Sequence, residues 1–170
     1  VSDWHAQLTP LTEASDTLGP TFSTGGAAFY KTWFDIFGAE AARAPKSNVF
    51  EVMGGDSFGG GTPPISNFFG DTPTPPIMGM MGIDVDAIGN HSFDRGEQYL
   101  RNTLIPLAPF PMISSNAVFP NGQTPLEWSK SVVFNLGGNQ KIRFLGFTTE
   151  SSPEVVFPGY LGDFELPDNL

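Results

Sequence analysis

The sequence predicts an α/β fold around a largely parallel sheet. Strand and helix signals alternate along the chain, and the segments NVFEVM and IDVDAI read as buried strands. In addition, the polar residues of chemical interest fall just after the strand signals, where open parallel sheets carry their functional loops.

Each element has its own signal. Val1–Ser2 read as the end of a strand running into Asp3. Over Gly25–Arg43 the apolar residues Ala28, Phe29, Trp33 and Phe37 recur at helical spacing, and Pro45 closes that helix. Asn48–Met53 is a strand, followed by a Gly/Pro loop over Gly54–Pro64. Ile65–Phe69 and Pro76–Met81 read as short helices, and Ile83–Ile88 as a second buried strand. A helix over Phe93–Leu107 turns Leu100 and Leu104 inward, and Phe110–Asn116 is the third strand. Ser131–Leu136 and Lys141–Phe147 form a hairpin around the Gly137-Gly138-Asn139 turn. The segment after Thr148 reads as an acidic loop.

Composition narrows the function classes. The 170 residues carry 8 basic and 18 acidic side chains, a net charge of −10. Such a chain has no counterion-release route to nucleic acid and is repelled by anionic membrane surfaces. No apolar run approaches the ~18 residues of a membrane span. Cys is absent, which removes disulfide scaffolds, thiolate metal sites and cysteine nucleophiles. Charged residues are 15% against a typical ~25%, and 20 Gly with 16 Pro point to long ordered loops. The 16 Phe and 3 Trp argue for a packed core rather than disorder. The first residue is Val, so a segment upstream, such as a signal peptide, is an expectation.

The chemistry concentrates in SDWHAQL, GGDSFGG and AIGNHSFDRG. They bring two carboxylates, one amide and both histidines of the chain to the predicted strand ends. Hard or borderline divalent ions take this mixture of oxygen and imidazole nitrogen, and without Cys the candidates are Mn, Zn, Fe or Co. Other readings stand beside this one. Asp56 is also a plain turn residue in GGD, and Asp94 is also a candidate helix cap. Gly59-Gly60-Gly61 lacks the Lys-Ser/Thr of a phosphate loop, and the Asn90-His91-Ser92 sequon reads as accidental. Met78, Met80 and Met81 read as core filler, and Phe68–Phe69 as a pair able to wall a cleft.

The order D-x-H, G-D, G-N-H resembles the calcineurin-like metallophosphoesterases. The contexts TGGAAFYKTW, GGDSFGGGTPPISNFFG and MMGIDVDAIGNHSFDRG look like their 5′-nucleotidase branch, which also holds UDP-sugar hydrolases, 2′,3′-cyclic phosphodiesterases and a thiosulfohydrolase. The resemblance implies a partial four-layer α-β-β-α sandwich and a two-metal hydrolase of nucleotides or related small phosphates. It implies that Asp3 and His5 bind the first metal, Asp56 bridges both, and Asn90 binds the second. His91 is then the catalytic acid or cation, oriented by Asp94. The sequence departs from the pattern at Ser2, Ala6 and Ser92, none of them an implied ligand. No His follows His91, whereas the family completes its site with downstream histidines and a C-terminal substrate domain. Residues 1–170 are therefore expected to be the N-terminal portion of a catalytic domain, with the remainder of that domain as its partner. The expected location is periplasmic or extracellular. The alternatives are the thiosulfohydrolase activity, a metal that only staples loops, and a binding module without a complete metal site.

Overall fold

A computed structural model of the protein describes residues 1–14, 19–44, 48–61 and 63–167. β1 (Leu11–Glu13) and β2 (Phe22–Thr24) form an antiparallel pair that no pattern in the sequence signals. α1 (Ala27–Ala41) leads to β3 (Val52–Met53), then α2 (Pro64–Phe68), α3 (Thr74–Met81) and β4 (Val85–Ala87). A 3₁₀ turn (Asn90–Phe93) precedes a helical stretch over 97–107, and β5 (Met112–Ile113) follows. β6 (Ser131–Gly137) and β7 (Gln140–Leu145) make a hairpin, and Ser152–Val155 adds one helical turn.

The central sheet is parallel, in the order β3-β4-β5, so the fold is α/β as predicted. Residues 1–3 extend it. The Val1 amino group donates to the Val52 carbonyl at 3.0 Å, and the amides of Gly54 and Asp3 donate to the carbonyls of Val1 and Gly55. The regular strands are shorter than the apolar runs that signalled them. A parallel ladder continues only while both neighbours stay extended, and here each strand breaks into a site loop within a few residues.

The core under the sheet joins Met53, Met78, Ile88, Phe93, Leu100 and Trp128. Leu100 and Leu104 point inward as expected, but the helix carrying them starts at Glu97 rather than Phe93 and widens to a π turn over Leu100–Leu104. Pro106 lacks the N–H that would bond the Asn102 carbonyl, and the helix loosens just before it. Met78 and Met81 pack in the core, whereas Met80 is exposed. Ala27, Tyr30 and Phe34 of α1 pack against the core, and Trp4 meets Tyr30 edge to face at 6.2 Å. The stripe Phe29, Trp33 and Phe37 therefore faces outward, and α1 has no fully buried residue among those described. Pro45, expected to end this helix, lies outside the described residues; α1 itself ends at Ala41. The hairpin lies where expected, with its turn at Gly138-Asn139 and an irregular register between Asn135 and Gly137.

Candidate metal-ligating and acid–base site

The ladder that extends the sheet continues into the site. The His5 amide donates to the Asp56 carbonyl at 3.0 Å and the Ala6 amide to the Ser57 carbonyl at 2.8 Å, so the first motif runs beside the second. Asp3, His5 and Asp56 are three of the five non-glycine residues with positive φ among those described, at 54°, 49° and 50°. Left-handed backbone costs an L residue roughly 1–3 kcal/mol and persists where the surroundings over-determine it. Burying Trp4 and Ala6 on either side of His5 accounts for the bend.

The third motif closes over the second. The His91 amide donates to Asp56 Oδ1 at 2.9 Å. Gly89 makes room for this contact, since a Cβ there would stand 2.0 Å from Asp56 Oδ1. The rings of His5 and His91 meet edge to face with centroids 5.0 Å apart. His91 Nδ1 lies 2.9 Å from Asp94 Oδ2, and that same oxygen accepts the Gly60 amide at 2.7 Å. Because a carboxylate only accepts, His91 carries its proton on Nδ1 and leaves Nε2 available. His5 Nδ1 donates to the Gly59 carbonyl at 3.2 Å, which likewise leaves its Nε2 as the lone-pair nitrogen. Asp94 does not N-cap the helix that follows; Gly96 occupies that place.

Sequence reasoning passed over several residues behind and beside this site. Asp86 is fully buried in β4, and burial pushes its carboxyl up to about 8. The Ser57 hydroxyl and Gly55 amide beside it pull the other way, but neither Asp86 oxygen has a hydrogen bond of good geometry. The available signal was an acid inside an apolar strand run. A buried network ties β4 to the exit of the hairpin. Thr148 Oγ1 donates to the Ile88 carbonyl at 2.6 Å, and Asn116 takes the Thr148 amide at 2.9 Å and returns a bond to its carbonyl at 2.7 Å. Next to Asp94 lies a cleft of about 410 Å³ lined by Asn67, Asp71, Arg95 and Phe157. Arg95 Nε bonds buried Asp71 at 2.8 Å, yet burial still holds that carboxyl above its usual range. The exposed Phe68–Phe69 pair stands outside this lining.

Among the described residues no group of three or more His, Asp or Glu side chains is gathered closely enough to hold a metal ion. The structure brings His5, Asp56, His91 and Asp94 together, and places Asp3 and Asn90 on the same loops. The donors fit a divalent ion in kind, being oxygens and an imidazole whose Nδ1 is already committed. Four such ligands are fewer than the roughly eight positions of two four-coordinate ions.

The fold is that of the calcineurin-like phosphoesterases: YfkN of Bacillus subtilis, so described, superposes with a TM-score of 0.71 at 18% identity, over 99% of this chain and 52% of that one. Within that class, the chain is a relative of the 5′-nucleotidase branch. It is 27% identical over 161 residues to a 5′-nucleotidase of Diplobatis ommata, covering 93% of this chain and 26% of the relative. It is 31% identical over 137 residues to the snake venom 5′-nucleotidase of Gloydius brevicauda, covering 74% of this chain and 23% of the relative. The solved 5′-nucleotidase precursor of Thermus thermophilus superposes with a TM-score of 0.78 at 24% identity, over 98% of this chain and 31% of that one. The sulfate thiohydrolase SoxB of the same species superposes at 0.72 and 15%, over 86% of this chain and 26% of that one. The chain spans about a quarter of the length of these curated relatives. No protein-family model matches it. No helix among the described residues is long and apolar enough to cross a membrane.

Proposed function

We propose that the protein hydrolyses phosphate esters of nucleotides or related small molecules outside the cytoplasm, using two divalent metal ions. The observation that carries this reading is the convergence of Asp56, His5 and the His91–Asp94 pair on adjacent loops at the carboxyl ends of one parallel sheet. Relatives named for 5′-nucleotidase activity support the substrate class, and the venom source of one supports the location.

Asp3, His5, Asp56 and Asn90 are the residues that would hold the ions. Such ions, when bound, offset phosphate charge and make water more acidic. Remaining coordination positions fall to water, substrate or further ligands. Asp56 has one oxygen engaged by the His91 amide, which fixes the carboxylate plane. Asp94 holds the His91 ring through Nδ1–H, so that Nε2, once it has taken up a second proton, faces the leaving oxygen or the phosphoryl group as donor.

The test is elemental analysis of protein purified without chelators, paired with hydrolysis assays on nucleoside monophosphates and on a sulfur-linked sulfonate. We expect two metals per chain, phosphate release, and a fall in kcat of roughly 10²–10⁴ in His91→Ala with metal retained. Release of sulfate alone would favour the thiosulfohydrolase reading. Full metal loading with no hydrolysis of either substrate would overturn the enzyme reading.

A further inference from the structure

We infer that the single peptide group joining Gly59 and Gly60 is a positioning element that sets the imidazoles of His5 and His91 together. Its carbonyl accepts the His5 Nδ1 proton at 3.2 Å. Its N–H donates at 2.7 Å to Asp94 Oδ2, which also receives the His91 Nδ1 proton at 2.9 Å. One continuous path therefore runs from the His5 ring, through one planar amide and one carboxylate oxygen, to the His91 ring. The inference rests on the hydrolase reading only for its consequence in catalysis.

The backbone is built for this and for little else. Gly59, Gly60 and Gly61 all take positive φ, at 64°, 69° and 76°. A Cβ on Gly60 would stand 2.2 Å from His5 Nδ1, so the loop lies flat on that ring. A Cβ on Gly59 would stand 2.5 Å from both Asp94 Oδ2 and the His91 carbonyl. Each glycine is thus moulded to one of the two histidine units, and no side chain fits either position. The loop lacks the Lys-Ser/Thr pair of a phosphate cradle, and the Gly59 carbonyl and the Gly60 N–H are spent on these contacts.

An amide whose N–H donates to an anion is polarised, and its carbonyl becomes a better acceptor. The Asp94 carboxylate consequently strengthens the grip on His5, a residue it does not hydrogen-bond. Both rings are pinned with hydrogen on Nδ1, and both Nε2 atoms are left for chemistry. Gly59 and Gly60 act through the histidines and are positioning residues.

The experiment is ¹⁵N/¹³C NMR of the full chain kept metal-free with a chelator, reading ring tautomers from the histidine nitrogens and the Gly59 carbonyl carbon. We expect both wild-type rings to be Nδ1–H tautomers, with a through-hydrogen-bond coupling between His5 Nδ1 and the Gly59 carbonyl. In Asp94→Asn, whose amide oxygen accepts more weakly, the Gly59 carbonyl signal and the His5 Nδ1–H signal should shift along with those of His91. In Gly60→Ala the His5 coupling should be lost and His91 should leave its single tautomer, while hairpin signals such as Ile142 stay in place. His91 shifting alone in Asp94→Asn, or a wild-type His5 protonated on Nε2, would overturn the inference. If Gly60→Ala does not fold, Asp94→Asn decides by itself. Neither readout needs metal or turnover, so an inactive protein would sink the hydrolase reading and leave this result standing.

Discussion

His5 and His91 come from opposite ends of the motif series, yet their rings meet edge to face with centroids 5.0 Å apart. Each presents Nδ1 to an acceptor on its own loop wall, the Gly59 carbonyl for one and Asp94 for the other. Ring contact and committed Nδ1 atoms together leave two Nε2 positions for ligands or substrate.

Asp94 Oδ2 stands 2.9 Å from His91 Nδ1, a contact that fixes the orientation of the ring. Asp94→Asn is expected to lower kcat roughly 10–100-fold, the usual cost of losing such an orienting partner, with KM changed little. Steady-state kinetics on a nucleoside monophosphate check this; an unchanged kcat would remove Asp94 from the machinery.

Asn116 is buried and satisfies both the amide and the carbonyl of Thr148. Truncation leaves two buried backbone groups without partners, at about 1–3 kcal/mol each. Asn116→Ala should therefore destabilise the fold by about 2–4 kcal/mol in denaturant titrations. Because Thr148 holds the Ile88 carbonyl at the base of the third motif, residual activity should fall as well.

Asp86 is an acid whose folded pKa, about 8, lies above its unfolded value near 4. The folded state binds the extra proton, so this group's favourable contribution is present at low pH and is lost as pH rises from about 4 to about 8. The slope is at most about 1.4 kcal/mol per pH unit. Asp86→Asn should flatten the decline of stability over that window in the metal-free protein. A variant whose stability tracked the wild type at every pH would count against a buried neutral Asp86.

Arg95 compensates Asp71, which is buried and has its second oxygen without a partner. Burial raises the Asp71 pKa, so deleting the guanidinium is costly where the carboxyl is ionised and cheaper where it is protonated. Arg95→Met is expected to lose about 2–3 kcal/mol at pH 7, below the cost of a fully buried pair because Arg95 is part exposed, and clearly less at pH 4. Melting temperatures at the two pH values measure the difference.

The sequence alone determined the class of fold, the order of its main elements and three candidate loops that the structure sets side by side. Buried strand runs followed by polar residues are local signals, and the rule that loops at the carboxyl ends of parallel strands converge turned them into one candidate site. The same local signals could not say which face of α1 is covered. Phe29, Trp33 and Phe37 have helical spacing, but Tyr30 and Phe34 are the residues packed inward. Strand lengths were overread because an apolar run does not reveal where the ladder breaks. Asn116 and Thr148 are ordinary polar letters until packing buries them. The tie between the two histidines through the Gly59–Gly60 peptide is purely tertiary. It depends on backbone atoms that every residue shares, and only the close approach of three loops brings that amide against both rings.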